Sequence, residues 1–364
     1  MWKEILFGLF FLILIFIIYR LTCLSEKPNI IYNSNGNVGK FVQSMESLKG
    51  IYKPVSWLVG GDIHTIYGMR YRPKSKLLKT CRRELFQFED RGTSALDWFE
   101  PKDANPETPI VVIIHTLGGG TREPCVNNFA EECVKNQWRA VVFNQRGLSG
   151  APITSGRFFN AMQYDDIQAI ISHIHMEFNP KKVFMAGYSL GAMQLISFIA
   201  NEGTIDGAAT VSHILDGNVS NQKLETPFNY KVYQQFLMKK LTHAFKKNKY
   251  VNCPEAANAK HLCDFDTYFT CKTLNIPNYV EYYKKISIYP AIPNLKVPTL
   301  ILNAKNDPFT SPSALPIEEV KKSDNAILVV TNDGGHVSFL TGNGHKSFAD
   351  KVLIDWFNAI ANSQ

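Results

Sequence analysis

The chain has 364 residues, of which 45% are hydrophobic and 20% are charged, and its formal net charge is +7. This length and composition indicate a folded domain with a sizeable core and exclude a disordered or low-complexity protein. The positive charge alone would admit a nucleic-acid partner, but no zinc-binding spacing, RNA-binding signature or helix-turn-helix pattern accompanies it, so we expect no such partner.

The first predicted element is an apolar helix at the N-terminus. Residues 5–19 carry no charge and are almost all apolar, and Arg20 can snorkel so that the span extends to Leu24. This length approaches the roughly 20 residues that cross a bilayer. A cleaved signal peptide is the alternative, but the residues after the apolar run lack an A-x-A-like site. We predict that residues 1–27 form a single-pass membrane anchor, in the endoplasmic reticulum or another endomembrane, with its orientation left open.

After this anchor, the pattern changes near residue 81. Residues 28–80 predict a linker and an irregular N-terminal cover, because Gly, Pro and Asn are scattered through them without periodicity. From 81 to 364, apolar runs of strand length alternate with helical patterns, which indicates the α/β class, with a mostly parallel sheet covered on both faces. The predicted strands are 109–116, 140–144, 183–186, 208–214, 298–303 and 326–331, and the predicted helices are 125–137, 161–177, a helix after residue 189, and 346–360.

A long insertion interrupts this alternation. About 80 residues, 215–296, separate two predicted strands, which is too long for an ordinary loop. The insertion is rich in aromatic residues and contains the basic run 239–249, in which lysine and apolar residues interleave as on an amphipathic helix. We predict a helical lid that covers an apolar tunnel and presents a basic surface to lipid. An ordinary solvated helix face is the alternative for the basic run.

Seven cysteines are spread along the chain without a C-x-x-C pair or a metal-ligand spacing. We therefore expect free thiols, no metal ion and no cofactor. A disulfide among Cys253, Cys263 and Cys271 stays open, because the redox compartment rather than the spacing decides it.

The motif that indicates chemistry is G-Y-S-L-G at residues 187–191, between a predicted strand and an apolar helical stretch. In a tight strand-to-helix turn of this kind the serine is held outward, and the flanking glycines let the backbone cross itself closely. We predict that Ser189 is a nucleophile. A serine in an ordinary glycine-rich turn is the alternative.

A serine nucleophile needs a histidine that takes its proton and an acid that fixes the tautomer of that histidine, and in this type of fold they follow in the order Ser, acid, His. His336 follows a predicted strand and a Gly-Gly turn, whereas His345 begins the last predicted helix and is expected at the surface. Asp307 lies in an N-D-P turn after a strand. Asp333 is the alternative acid, but it shares a short loop with the histidine. We predict a triad of Ser189, Asp307 and His336.

The oxyanion of a tetrahedral intermediate needs two backbone N–H donors, one from the residue after the nucleophile and one from a glycine-rich loop after an earlier strand. Leu190 supplies the first. The sequence H-T-L-G-G-G at 115–120 follows a strand and fits the second, with Leu117 as the donor. We interpret His115 as a structural residue of this loop.

Seven segments of the sequence share a further pattern: R-R-E-L-F-Q-F-E-D-R-G-T-S-A-L-D-W (82–98), H-T-L-G-G-G (115–120), V-V-F-N-Q-R-G (141–147), G-Y-S-L-G-A (187–192), F-D-T-Y-F-T (265–270), V-P-T-L-I-L-N-A-K-N-D-P (297–308) and G-G-H-V-S-F-L (334–340). Together these segments resemble the AB hydrolase 4 family, the membrane-anchored abhydrolase domain-containing lipases. The resemblance covers most of residues 55–360 and implies the α/β-hydrolase fold, the same triad, and activity on lipid esters. One departure is Thr116, which stands where the family usually has glycine.

The function predicted from these observations is hydrolysis of a carboxylic ester of a lipid, an acylglycerol or a phospholipid, through an acyl-enzyme. Two alternatives remain: transfer of the acyl group to an alcohol, and a hydrolase scaffold retained for ligand binding. His261 and Asp266 match an H-x-x-x-x-D acyltransferase pattern, which we interpret as a coincidence because it lies in the lid. No feature indicates the oligomeric state.

Overall fold

The computed structural model describes residues 2–23, 25–201 and 203–363, and within the first helix it describes side chains through residue 18. The described strands are β1 (Asn29–Tyr32), β2 (Arg82–Gln87), β3 (Thr93–Phe99), β4 (Ile110–Ile114), β5 (Arg139–Asn144), β6 (Val183–Tyr188), β7 (Gly207–Val211), β8 (Thr299–Ala304), β9 (Ala326–Thr331), β10 (Leu340–Thr341) and β11 (Lys346–Ser347). The described α-helices are α1 (Trp2–Cys23), α2 (Gly39–Ser44), α3 (Glu46–Lys49), α4 (Gly60–Arg70), α5 (Pro124–Lys135), α6 (Asp165–Glu177), α7 (Leu190–Ala200), α8 (Gly217–Leu224), α9 (Pro227–Asn229), α10 (Gln235–Lys246), α11 (Pro254–Ala257), α12 (Leu262–Phe265), α13 (Cys271–Thr273), α14 (Tyr279–Lys285), α15 (Ile317–Lys322) and α16 (Phe348–Ala361).

One sheet holds β1 to β9 in the order β1-β9-β8-β7-β6-β4-β5-β3-β2, and β10 and β11 form a separate hairpin. The six neighbouring strands from β9 to β5 are parallel, whereas β1, β3 and β2 pair antiparallel at the two ends of the sheet. This mostly parallel sheet confirms the predicted α/β class. The three antiparallel strands were not predicted.

Helices cover both faces of the parallel strands, as the continuous apolar sequence of those strands requires. In β4, Val111 and Ile113 point to the side covered by α5 and α16, whereas Ile110, Val112 and Ile114 point to the side covered by α6 and α7. All five side chains are fully buried or nearly so. Burial of each such side chain stabilises the fold by about 1.5–3 kcal/mol. The central strands are therefore a rigid support for the loops at their carboxyl ends.

Residues 28–80 are more regular than the irregular cover that we expected. Strand β1 extends the sheet by pairing with β9, and helix α4 lies against α5 and the loop after β8. A Cβ atom at Gly61 would collide with the carbonyl oxygen of Asn306, so the close approach of α4 to this loop depends on glycine. The N-terminal segment is thereby brought to the carboxyl edge of the sheet.

Residues 215–296 are largely helical and contain α8 to α14. Two π-helical turns interrupt these helices, at Tyr230–Gln234 and Asp266–Thr270. Helix α10 is amphipathic: Met238, Leu241 and Phe245 are buried in an aromatic cluster, whereas Lys246 is exposed.

The predicted single-pass anchor is not supported by the structure. Residues Trp2–Cys23 are helical, but a helix able to traverse a lipid bilayer is absent from the part of the chain that the structure describes. The predicted continuation through Arg20 to Leu24 lies outside the residues whose side chains are described.

The cysteine side chains within the described residues are free thiols, and these include Cys253, Cys263 and Cys271. The disulfide that the sequence left open is therefore not formed. The side chain of Cys23 lies outside the described residues.

Candidate active site

Ser189 lies at a sharp turn between β6 and α7, at the carboxyl edge of the sheet. Its backbone has a positive φ of 55° with ψ of −113°, a conformation that residues with a side chain rarely adopt. A Cβ atom at Gly187 would lie 2.5 Å from the carbonyl oxygen of Gly191, so the turn is too tight for a larger residue there. The strained conformation holds the serine side chain outward from the turn, as the motif predicts.

His336 joins Ser189 to Asp307 by two short hydrogen bonds. Its Nδ1 lies 2.8 Å from Asp307 Oδ2, and its Nε2 lies 2.8 Å from Ser189 Oγ. A carboxylate only accepts hydrogen bonds, so Nδ1 donates to Asp307 and Nε2 is left to accept the proton of the serine hydroxyl. Asp307 is fully buried, and its Oδ1 accepts the N–H of Phe309 at 2.7 Å. The structure thus brings together the three residues that the sequence selected.

The loop that carries His336 is held by side chains that the sequence did not single out. The hydroxyl oxygen of Thr65 in α4 accepts the N–H of His336 at 2.8 Å. The hydroxyl oxygen of Ser212 after β7 accepts the N–H of Val337 at 2.9 Å. Neither residue belongs to a recognisable motif, because each acts through a contact between segments far apart in the chain.

The two alternative residues lie elsewhere. Asp333 accepts hydrogen bonds from the side chain of Asn306 and from the N–H of Gly334, and its carboxylate lies 3.7 Å from His64. His345 is exposed. The geometry therefore favours Asp307 and His336, which the chain order also selects.

The glycine-rich loop after β4 borders the cavity that contains Ser189. Leu117 and Leu190, the predicted oxyanion donors, both line the cavity that contains Ser189. The hydroxyl of Thr116, at the position where the loop departs from the family pattern, donates to Glu123 at 2.6 Å. His115 is buried, its Nδ1 lies 2.7 Å from the carbonyl oxygen of Thr116, and burial lowers its pKa. A buried neutral histidine in this position supports the loop, which agrees with the structural role we expected for it.

A cavity of about 120 Å³ contains Ser189 in its lining. The lining is mainly apolar and comes both from the core and from residues 215–296, for example Met193, Leu224 and Leu241. A cavity of this character accommodates an unbranched apolar chain. Residues 215–296 thus contribute to an apolar space beside Ser189.

One acid, Asp266, lies in the wall of this cavity. Burial raises its pKa to about 6, and its Oδ2 accepts the hydroxyl of Tyr283 at 2.9 Å. His261, its partner in the H-x-x-x-x-D pattern, instead makes a hydrogen bond to Glu225 at 2.8 Å and stacks on Tyr230. The two residues therefore have different partners, consistent with a coincidental match.

Comparison with known proteins decides the family. The family model described as Hydrolase_4, serine aminopeptidase S33, matches residues 105–336. An abhydrolase domain-containing protein of Dictyostelium discoideum is 32% identical over 340 residues, which cover 89% of this chain and 85% of the relative. The chain belongs to the abhydrolase domain-containing α/β hydrolases. The family resemblance drawn from the sequence motifs is thereby confirmed.

Other similarities agree with this α/β-hydrolase assignment. The human phospholipase ABHD3 is 26% identical over 358 residues, covering 94% of this chain and 87% of the relative. A crystal structure of a bacterial membrane phospholipase A shares the fold, with a TM-score of 0.53 and 15% identity over 78% of this chain and 87% of the other. The enzyme class predicted from the sequence, a serine ester hydrolase, is confirmed by these relationships.

Proposed function

We propose that this α/β hydrolase cleaves carboxylic esters of lipids through Ser189, Asp307 and His336. The observation that carries the proposal is the continuous hydrogen-bonded chain from Ser189 Oγ through the imidazole of His336 to the buried carboxylate of Asp307. In this chain a base lies within reach of the nucleophile, and an acid orients the base.

The reaction follows from this geometry. Ser189 Oγ attacks the ester carbonyl carbon while His336 Nε2 takes the hydroxyl proton, and the imidazolium then gives that proton to the leaving alcohol oxygen. Water attacks the resulting acyl-serine while His336 takes a proton from the water; the bond between the acyl carbon and Ser189 Oγ then breaks, the imidazolium returns the proton to Oγ, and the carboxylic acid leaves. The buried Asp307 stabilises the imidazolium in both halves of the cycle.

We assign the oxyanion-stabilising role to the backbone N–H groups of Leu117 and Leu190. Both residues flank the cavity at Ser189, one on the glycine-rich loop and one in the first turn of α7. An N–H at a helix N-terminus has no partner within its helix, so the N–H of Leu190 is suited to a developing negative charge. The hydrogen bonds from Thr116 to Glu123 hold the other side of the loop in place.

The apolar cavity supports an acyl chain as the group that binds next to the nucleophile. We propose that residues 215–296 act as a lid that selects this chain, because Leu224, Leu241 and Phe265 from this segment line the cavity beside Ser189. A triad acts on any ester carbonyl that reaches it, so the surrounding wall must supply the discrimination. The named activity of the human relative, a phospholipase, fits a lipid ester as substrate.

The fate of the acyl group separates this proposal from its alternatives. With p-nitrophenyl butyrate in water containing ethanol, we expect butyrate as the main product and little ethyl butyrate, because water reaches the acyl-serine. The products are to be measured by gas chromatography. Predominance of ethyl butyrate would indicate an acyltransferase instead. A protein that binds the ester without releasing nitrophenol would be a ligand-binding scaffold.

We further propose that α1 attaches the protein to a lipid surface. Its described side chains are exposed, and the large apolar ones between Ile5 and Ile18 are each at least 38% exposed. An exposed apolar patch of this size is typical of an interaction site, and the binding strength of a helix at a lipid surface grows with the apolar area that it buries.

Removal of residues 1–27 is expected to abolish this attachment. In a flotation experiment with phosphatidylcholine vesicles, the full chain should rise with the vesicles and the shortened chain should stay at the bottom of the gradient. Hydrolysis of p-nitrophenyl butyrate by both chains is the control for folding. Equal flotation of an active shortened chain would show that another surface binds the lipid.

A further inference from the structure

We propose that Lys223, in helix α8, is a positioning residue for the proposed catalytic triad. Its ammonium group holds the backbone of residues 307–310, which we call the acid loop, and thereby keeps Asp307 against His336. This inference rests on the proposed ester hydrolysis and deepens it, because it gives the insertion at residues 215–296 a role in the reaction besides the selection of the acyl chain.

Lys223 donates hydrogen bonds to two backbone carbonyl groups of the acid loop. Its Nζ lies 2.5 Å from the carbonyl oxygen of Asp307, and it also donates to the carbonyl oxygen of Thr310. These two oxygens belong to the first and last residues of the loop, so one cation ties both ends of the loop to α8. Hydrogen bonds that involve a charged group are roughly twice as strong as those between neutral groups. The two contacts therefore restrain the backbone at Asp307.

Asn229 and Tyr233, further along the insertion, contact the two residues in the middle of the acid loop. The side-chain amide of Asn229 donates to the carbonyl oxygens of Pro308 and Lys223, each at 3.0 Å. The ring of Tyr233 packs on the ring of Phe309, with the ring centroids 4.9 Å apart. Each of the four residues of the acid loop thus contacts this part of the insertion.

The acid loop reaches the reacting groups through its first and third residues. Oδ1 of Asp307 accepts the N–H of Phe309 at 2.7 Å, and Oδ2 lies 2.8 Å from Nδ1 of His336. The ring of Phe309 also packs on the imidazole of His336, with the ring centroids 4.2 Å apart. A displacement of the loop would therefore move both the acceptor that orients the imidazole and the ring that packs on it. A misplacement of about 1 Å in a catalytic site can lower the rate by about 10²-fold.

The charge of Lys223 lies close to the carboxylates of Asp307 and Asp62. Burial lowers the pKa of the Lys223 ammonium group, and the attraction of these two carboxylates opposes that change. Asp62 belongs to α4 and accepts the hydroxyl of Tyr233 at 2.7 Å. Lys223 thus lies where the insertion, the acid loop and α4 meet, and an apolar residue in its place would remove the donor to two carbonyl oxygens of the loop.

The first test compares Lys223→Met with Lys231→Met on two soluble esters of different acyl length, p-nitrophenyl acetate and p-nitrophenyl hexanoate. We expect Lys223→Met to lower kcat by about 10–100-fold on both esters, with KM changed by less than about threefold, because the change affects the orientation of the base and leaves the acyl cavity intact. Lys231 is an exposed lysine of the same part of the insertion. Lys231→Met removes the same charge and should leave both constants at their wild-type values.

Lys223→Arg separates the hydrogen bonds from the lysine itself. A guanidinium group also donates N–H bonds to carbonyl oxygens, so this variant should recover part of the lost kcat. Thermal unfolding of each variant measures its stability independently of its rate, and Lys223→Gln replaces Lys223→Met if the methionine variant does not fold. A lower melting temperature with kcat at the wild-type value would assign Lys223 a purely structural role and overturn the inference.

A double variant decides whether Lys223 acts through Asp307. Residues that act as a unit have strongly non-additive effects on rate. Introduction of Lys223→Met into the Asp307→Asn enzyme should therefore lower kcat further by less than about threefold, although the same change in the wild type costs about 10–100-fold. A further loss of the full wild-type size would show that Lys223 acts elsewhere, which would overturn the inference.

These outcomes are separate from a failure of the proposed hydrolysis. An enzyme that turns over both esters, loses that activity in Ser189→Ala and keeps the wild-type kcat in Lys223→Met would overturn the positioning role alone. Absence of turnover by the wild type, with no fluorophosphonate labelling of Ser189, would instead remove the proposed function and this inference with it.

Discussion

Replacement of Ser189 with alanine is expected to lower kcat for p-nitrophenyl butyrate by about 10⁶-fold, to the residual rate that substrate binding and the oxyanion donors sustain. The variant loses the only atom in the site that bonds to the acyl carbon. His336→Ala should cause a comparable loss, because the serine hydroxyl then loses the imidazole that lies 2.8 Å from it and takes its proton. Initial rates of nitrophenol release, with thermal unfolding as a check on folding, provide the measurement.

His345→Ala is the control for these variants. His345 is exposed, and it contacts the remainder of the fold through its backbone carbonyl, which accepts the Nε of Arg72 at 3.1 Å. Its replacement should therefore leave the rate within a few-fold of the wild type. A dead His345→Ala enzyme together with an active His336→Ala enzyme would refute the assignment of the base.

Asp307→Asn is expected to lower kcat by about 10⁴-fold while the protein folds normally, as the reversal of a histidine tautomer does in serine proteases. The two hydrogen bonds of the Asp307 carboxylate determine how the side chain of an asparagine at this position would be oriented. Oδ1 of Asp307 accepts the N–H of Phe309, so the carbonyl oxygen of an asparagine would keep that position and its NH₂ group would face His336. The imidazole would then be protonated on Nε2 and could not accept the serine proton. A pH–rate profile with p-nitrophenyl butyrate tests the loss over a wide pH range.

Asp333→Asn is the matched control for Asp307→Asn. Asp333 interacts with the loop residues Asn306 and Gly334 and lies near His64, so its change should affect stability more than kcat. A loss of about 10⁴-fold in Asp333→Asn, with Asp307→Asn nearly active, would exchange the two roles.

The parallel part of the sheet could be predicted from the sequence because those strands are buried on both faces and read as unbroken apolar runs. Strands β2 and β3 could not be predicted in this way, because their sequences are not unbroken apolar runs. β2 has the sequence R-R-E-L-F-Q and is exposed on much of its surface, and β3 carries Asp97 in the core. Asp97 is tolerated there because Arg83 donates two hydrogen bonds to it, each of 2.6 Å, and Thr121 donates another. A single sequence does not show that these donors lie close enough to stabilise the buried carboxylate of Asp97.

The triad could be predicted because its three residues lie at recognisable turns in a fixed chain order. The residues that hold the triad in position are not marked by a recognisable turn or by a fixed chain order. Thr65 and Ser212 hold the loop of His336 by contacts across 271 and 125 positions of sequence.

Labelling with a fluorophosphonate, followed by mass spectrometry of the tryptic peptides, tests the central claim most directly. The probe reacts with a serine only where a base activates it. We expect one adduct, on Ser189, which is absent in Ser189→Ala and strongly slowed in His336→Ala. Labelling of a different serine, or labelling of Ser189→Ala at the wild-type rate, would contradict the assignment of Ser189 as the nucleophile.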